Sequence, residues 1–207
     1  MPRLVLASAS PRRRDLLAQI GVVPAAVLPA EVDERPVRNE LPRALAARLA
    51  EAKARAVAER CADAFVLGAD TVVACGRRVL PKTVDAAEAR QCLALLSGRR
   101  HRVYGGVTIF APGGRTASRL VLTMVAFKRL TKDEVEGYIA SEEWRDKAGA
   151  YAIQGLAATF VRHINGSYSN VVGLPLFETA ALLNGLGFCR GPRMQQTCDQ
   201  TGRADHD

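Results

Sequence analysis

Apolar, β-rich runs alternate along this chain with segments of helical period, and that alternation restricts the fold to the α/β class. Leu4-Val5-Leu6-Ala7 reads as a buried strand ending at Ser8-Ala9-Ser10. Ser10 stands where an N-cap belongs and Pro11 where a first helical residue belongs. Leu16, Leu17 and Ile20 then form an apolar stripe before Gly21 stops the helix. A second helix is predicted from about Pro42 to Cys61, with Leu45, Leu49 and Ala52 on one face. Phe65-Val66-Leu67-Gly68-Ala69 and Thr71-Val72-Val73-Ala74 are strand-like and joined through Asp70.

Further along, Asp85 with Glu88 and Thr131 with Glu134 have the spacing of capping boxes, opening helices that reach Leu96 and Ile139. Between them, Val103 to Phe110 and Ser118 to Phe127 flank the turn Pro112-Gly113-Gly114, the pattern of an antiparallel hairpin. Gly173-Leu174-Pro175 precedes a last helix through Leu183. From Cys189 onward the residues are polar and aperiodic, so residues 189–207 are expected to be a disordered tail behind a single domain at 1–188.

Composition narrows the function less than the fold. No stretch approaches the roughly 18 apolar residues of a membrane span, and the charge cluster Arg12-Arg13-Arg14 follows a short opening apolar run instead of preceding a long one, so no membrane partner and a cytoplasmic location are expected. Five scattered cysteines, none in a CxxC, suggest neither a disulfide framework nor a zinc knuckle. A formal charge of +8 suits a nucleic-acid binder, a polyanionic small substrate or an Arg-rich composition without meaning. An aromatic content of 5% with one Trp leaves few faces for stacking bases, which argues against nucleic acid.

Four groups of residues carry candidate chemistry. Ser8, Ser10, Arg12 and Arg13 surround a helix start, where unpaired N–H groups and the helix dipole favour an anion, phosphate being the natural one; the same segment also reads as a capped helix with solvated arginines. Lys82 and Lys53 are compact charges suited to phosphate oxygens or to plain surface positions. Asp70 interrupts two apolar runs, where burying an ionised carboxylate costs several kcal/mol unless a cation or hydrogen bonds compensate; it is a metal or catalytic group, or else the residue closing a turn between strands. Glu34 is the carboxylate that can join Asp70 around Mg²⁺, an ion that takes one or two protein carboxylates.

In order along the chain stand S-x-S-P-R-R, V-D-E near position 33, E-A-K around Lys53, G-A-D-T-V-V, a lysine twelve residues past the aspartate, L-S-G-R-x-H-x-V, D-K-A-G-A-Y-x-I-Q-G and N-G-S-Y-S-N-V-V-G-L-P-L. This series resembles the Maf family of nucleotide pyrophosphatases from Leu4 to about Gly187. The resemblance implies a mixed sheet related to the inosine triphosphate pyrophosphatase architecture, with two lobes flanking a central cleft, and a homodimer. It also implies house-cleaning hydrolysis of the α–β phosphate bond of nucleoside triphosphates with a divalent cation, Mg²⁺ or Mn²⁺. In that family's terms Asp70 is the general base and, with Glu34, a metal ligand, while Ser8, Arg13, Lys53 and Lys82 hold the triphosphate. Arg12, Thr71 and Gln154 occupy the positions that mark the dTTP/UTP branch, as opposed to the 7-methyl-GTP branch. A buried Gln amide both donates and accepts, which suits a uracil or thymine edge.

Three residues depart from the family pattern: Thr83 for a proline, Gly105 for a threonine and Ala152 for a glycine. Gly105 is expected to loosen its strand and Thr83 to shift Lys82. Two rival readings are a non-catalytic regulator of septum formation and a basic nucleic-acid-binding module. The absence of a G-x-x-x-x-G-K-[ST] loop disfavours an ordinary P-loop enzyme.

Overall fold

The computed structural model describes residues 2–188, so the predicted tail lies outside the described residues. Strand β1 (Leu4–Leu6) leads through Ser8-Ala9-Ser10 into helix α1 (Pro11–Gln19), and the two-residue strand β2 (Ala26–Val27) follows. A long irregular stretch carries Glu34 to α2 (Pro42–Ala58). Then come β3 (Phe65–Cys75), β4 (Arg78–Leu80), α3 (Ala86–Leu96) and the hairpin β5 (Arg100–Phe110) and β6 (Thr116–Phe127). After α4 (Lys132–Ala140), a 3-10 turn (Leu156–Phe160), β7 (Val161–Asn165), α5 (Tyr168–Val172) and α6 (Leu176–Gly185) complete the order.

The sheet runs β2-β1-β3-β5-β6-β7, with β4 also on β3. β1 lies parallel to β2 and β3, and the remaining pairings are antiparallel, giving the mixed α/β sheet expected. On one edge of β3 the ladder with β5 is continuous from Val66 to Ala74. On the other edge β1 pairs only Phe65–Leu67 and β4 only Val73–Cys75. Gly68 to Val72 therefore lie in a gap between two strand partners, and a cleft opens there.

Helix α2 covers one face of the sheet at unusually close range. A Cβ added at Gly68 would stand 2.5 Å from Ala50 O and Ala54 N, and one at Gly106 would stand 2.2 Å from Ala46 O. These glycines let helix backbone touch sheet backbone. On the opposite face the core divides. One cluster joins Leu4, Leu6, Leu16, Leu17, Leu67 and Leu183, and the other joins Leu80, Leu93, Leu96, Val103, Tyr138 and Trp144.

Local expectations met the structure unevenly. Asp70 closes no turn: the two runs form one eleven-residue strand with Asp70 inside it, opposite Gly106. The buried stripe of α2 passes through Leu45, Leu49, Lys53 and Val57, while Ala52 is only half-buried. Ser10 occupies the N-cap position of α1 without a side-chain capping bond. The Thr131/Glu134 box is complete, whereas at α3 Asp85 caps Ala87 N at 2.7 Å without the reciprocal bond from Glu88. Gly105 does not loosen β5; a Cβ there would fall 1.7 Å from Asn170 Oδ1, so its missing side chain is the space into which a fully buried amide fits. Among the described residues no helix is long and apolar enough to cross a membrane.

Gly106→Ala should lower stability by about 2 kcal/mol or more, because the obstructing atoms are backbone. Gly137→Ala, in an exposed part of α4 with nothing within 4 Å of the new methyl, should raise it by about 0.5–1 kcal/mol. Urea-denaturation midpoints of the two variants, moving in opposite directions, check the close approach of α2.

Candidate active site

The cleft beside the β3 gap has a volume of about 790 Å³, within the range of small-molecule sites. All nine residues singled out from the sequence, Ser8, Arg12, Arg13, Glu34, Lys53, Asp70, Thr71, Lys82 and Gln154, line it. They arrive from the turn after β1, the start of α1, the irregular stretch before α2, α2 itself, the centre of β3, the residues after β4 and the segment that follows α4.

At its floor lies a buried charge network. Asp70 faces α2 because strand residues alternate sides, and 68, 70 and 72 share the face on which that helix lies. Lys53 Nζ donates to Asp70 Oδ1 at 2.6 Å and sits 2.6 Å from Glu34 Oε1. Glu34 Oε2 also accepts from Lys82 Nζ at 3.1 Å, so one carboxylate bridges two lysines. Side chains of Lys53 and Asp70 are 8% and 6% exposed. Removing two charges from water this thoroughly costs several kcal/mol per ion and requires the pairing seen. Burial pushes the Glu34 carboxyl upward, but hydrogen bonds and charge from Lys53 and Lys82 outweigh it and hold its pKa below the usual range.

Arg13 is buried as well, contrary to the solvated alternative. Its Nη1 donates to Ser8 Oγ at 2.8 Å, its Nε to Gly173 O at 3.0 Å and its Nη2 to Thr71 Oγ1 at 3.4 Å. Burial lowers its pKa, partly offset by the charges of Asp70 and Glu34; an arginine nevertheless stays protonated. Thr71 Oγ1 in turn donates to Gly173 O at 3.4 Å. Thr71 is thus engaged within the protein's own lattice of bonds. Gln154 lines the cleft with an exposed side chain, which corrects the expectation of a buried amide.

Thr83 is fully buried. Its Oγ1 donates to Trp144 O at 3.3 Å and its carbonyl accepts from Asp146 N at 3.0 Å. With the Lys82–Ala148 bridge and Gly149 N to Pro81 O at 3.1 Å, the lysine loop is zipped to the segment leading to Gln154. The hydroxyl therefore fastens Lys82's loop in place.

Four cleft residues went unread in the sequence. Gly173, with φ 142, offers the carbonyl that orients Arg13; the Gly-Leu-Pro string marked a helix boundary without revealing that acceptor. Asp146, Lys147 and Tyr151 lie in the D-K-A-G-A-Y string, of which only Gln154 was interpreted. Tyr151 is held from behind by His101, whose Nε2 lies 2.8 Å from its hydroxyl, and both rings pack edge-on against Phe127.

A cleft floored by one buried carboxylate and walled by Arg13, Lys53, Lys82 and a helix start has the chemistry needed to hold a polyanion beside a general base. The chain belongs to the Maf family: the model described as Maf-like protein matches residues 3–186. It is 66% identical over 188 residues to the dTTP/UTP pyrophosphatase of Paramagnetospirillum magneticum, covering 91% of this chain and 99% of that one. The proteins of the same name from Rhodospirillum rubrum and Caulobacter vibrioides are 61% and 60% identical, covering 91% and 90% of this chain and 90% and 97% of theirs. Among solved structures, a nucleoside-triphosphatase / dITP/XTP pyrophosphatase from Mycobacterium abscessus matches at 18% identity with a TM-score of 0.41, over 62% of this chain and 75% of that one.

Burial drives the His101 pKa down to about 4 from 6.5, so the folded protein holds this ring neutral. Below pH 6.5 the unfolded chain takes up the proton first. Stability is therefore fully present above that pH and declines as pH falls toward 4, by on the order of 3 kcal/mol. In His101→Gln the decline between those pH values should be visibly shallower when urea midpoints are followed against pH.

Proposed function

We propose that this chain is a nucleoside triphosphate pyrophosphatase, a nucleotide diphosphatase, that cleaves dTTP and UTP between the α- and β-phosphates. The observation that carries the reading is the buried Asp70–Lys53 pair, joined through Glu34 to Lys82 and lying beside Arg13 at the floor of a nucleotide-sized cleft. High identity to proteins of that name over nine-tenths of the chain supports the substrate class.

In this reading the triphosphate lies along Ser8, Arg13, Lys53 and Lys82, which neutralise its charge and fix the α-phosphorus over Asp70. Asp70 takes a proton from a water molecule as that water's oxygen bonds to phosphorus. The bond from phosphorus to the bridging oxygen breaks, and its electron pair leaves with pyrophosphate. Arg13 and the lysines are the donors on which the developing negative charge falls.

A divalent cation, Mg²⁺ or Mn²⁺, fits the donor set. The carboxylates of Glu34 and Asp70 already converge on one cationic atom, Lys53 Nζ, at 2.6 Å each. Among the described residues there is no group of three or more His, Cys, Asp or Glu that would enclose the ion, in keeping with a metal that leaves positions to water and phosphate. Bound there, the ion supplies charge neutralisation and polarisation of the phosphate oxygens. The same proposal includes a homodimer in a reducing cytoplasm, with free thiols such as the buried Cys61 and Cys92.

Purified protein with Mg²⁺ or Mn²⁺ should release pyrophosphate from UTP and dTTP; inactivity across a full nucleotide panel would favour a regulator without catalysis. Asp70→Asn should lower kcat by about 10²-fold to 10⁴-fold while circular dichroism stays native, and a folded, active mutant would reassign the base. Arg12→Ala and Gln154→Ala should change the ranking of bases more than the turnover of the best one.

A further inference from the structure

Three carboxylates line the cleft, and only two are compensated. Glu34 and Asp70 are bound by lysines, whereas the side chain of Asp146 makes no hydrogen bond or ion pair among the described residues and is exposed to the cleft. An unpaired negative charge repels a polyphosphate, so it is tolerable only at the end of the cleft where the uncharged part of the ligand lies.

The position of Asp146 is not accidental disorder of a loop. Its backbone is held at φ 54, a left-handed conformation that costs a non-glycine residue and that Asp tolerates better than most. The bond from its N–H to Thr83 O, with the Lys82–Ala148 bridge beside it, fixes the residue's backbone while its side chain stays unpaired in the cleft. Two cations share the cleft with it. Arg12 stands at the start of α1, and burial lowers its pKa against the opposing charge of Asp146. Lys147 is adjacent in sequence; burial and the charge of Arg12 lower its pKa, while Asp146 raises it. All three side chains line the one cleft, and Lys147 Nζ also donates to Arg145 O at 2.9 Å.

Resting on the pyrophosphatase reading above, we propose that Asp146 is a specificity-determining residue that accepts a hydrogen bond from the imino N–H of a uracil or thymine ring, with the donors that share its cleft, Arg12, Lys147 and Gln154, serving the carbonyls beside it. The chemistry is a match of patterns. Uracil and thymine present acceptor, donor, acceptor along one edge, and an unpaired carboxylate among cationic and amide donors supplies the complement to it. Cytosine offers a bare nitrogen lone pair at the central position, which a carboxylate repels, and an amino group where a cationic donor stands. Guanine presents a second donor in place of the last acceptor. The thymine methyl and the ribose 2′-hydroxyl lie off this edge, so one device serves both dTTP and UTP.

The test compares wild type with Asp146→Asn and Asp146→Gly. Asparagine also tolerates the left-handed backbone but carries an amide that turns either way; glycine relaxes the backbone and removes the acceptor. Both kcat/KM for UTP and CTP and the Kd of their α,β-methylene analogues are measured, with thermal midpoints as a control on folding. Both variants should lose about 10-fold to 100-fold of the UTP-over-CTP preference, the loss falling on KM and Kd more than on kcat, and Asp146→Asn should bind the CTP analogue more tightly than wild type does. A preference retained within about twofold in both variants, or UTP and CTP weakened in parallel, overturns the assignment. Wild type that neither binds nor cleaves any nucleotide overturns the pyrophosphatase reading, and this inference with it; wild type that cleaves UTP while the variants keep its preference overturns the role of Asp146 alone.

Discussion

Lys53 reaching down from a helix to touch a carboxylate in the middle of a sheet is the contact on which the rest of this structure turns. A lysine ammonium and an aspartate cannot be buried separately, and each is tolerable here because the other is 2.6 Å away. For that distance to exist, α2 must lie almost on the strands. Gly68 and Gly106 make room for its backbone, and the helix is rich in alanine on the same side, with Ala46, Ala50 and Ala54 fully buried. Small residues on both partners set the depth at which the ammonium arrives.

The sheet topology then decides where that charge pair meets solvent. β3 is long enough to serve two partners on one edge, β1 near its start and β4 near its end, and Asp70 falls in the interval neither covers. The turn after β1 delivers Ser8 and Arg13 to this interval, and the residues after β4 deliver Lys82. Cationic and hydroxyl groups from distant parts of the chain are thereby brought to one cleft by strand lengths.

Much of this was readable from residue order. The alternation of runs gave the class, the hairpin around Pro112-Gly113-Gly114 was plain, and the candidate site residues do share one cleft. What escaped has physical causes. Gly68-Ala69-Asp70-Thr71 has the composition of a turn, and only a cation from another element makes a carboxylate acceptable inside a strand. A lysine on the buried stripe of α2 breaks the rule that stripes are apolar, so the sequence reads the stripe through Ala52 while the folded helix runs it through Lys53. Gly105 looked permissive because its tenant, the Asn170 amide, comes from 65 residues further along. Asp146 passed unnoticed because its left-handed backbone has no sequence mark as clear as a glycine.

Glu34 makes entry of an anion into the cleft a matter of exchange. Its carboxylate clasps Lys53 and Lys82 in the resting protein, so an arriving anion does not enter a bare cationic pit; it must displace an anion already in residence. Such an arrangement sets a threshold. Because its two oxygens hold two different lysines, an anion that meets only one of those ammonium groups leaves the other pair intact, and the cleft's positive charge is released only when both contacts give way together.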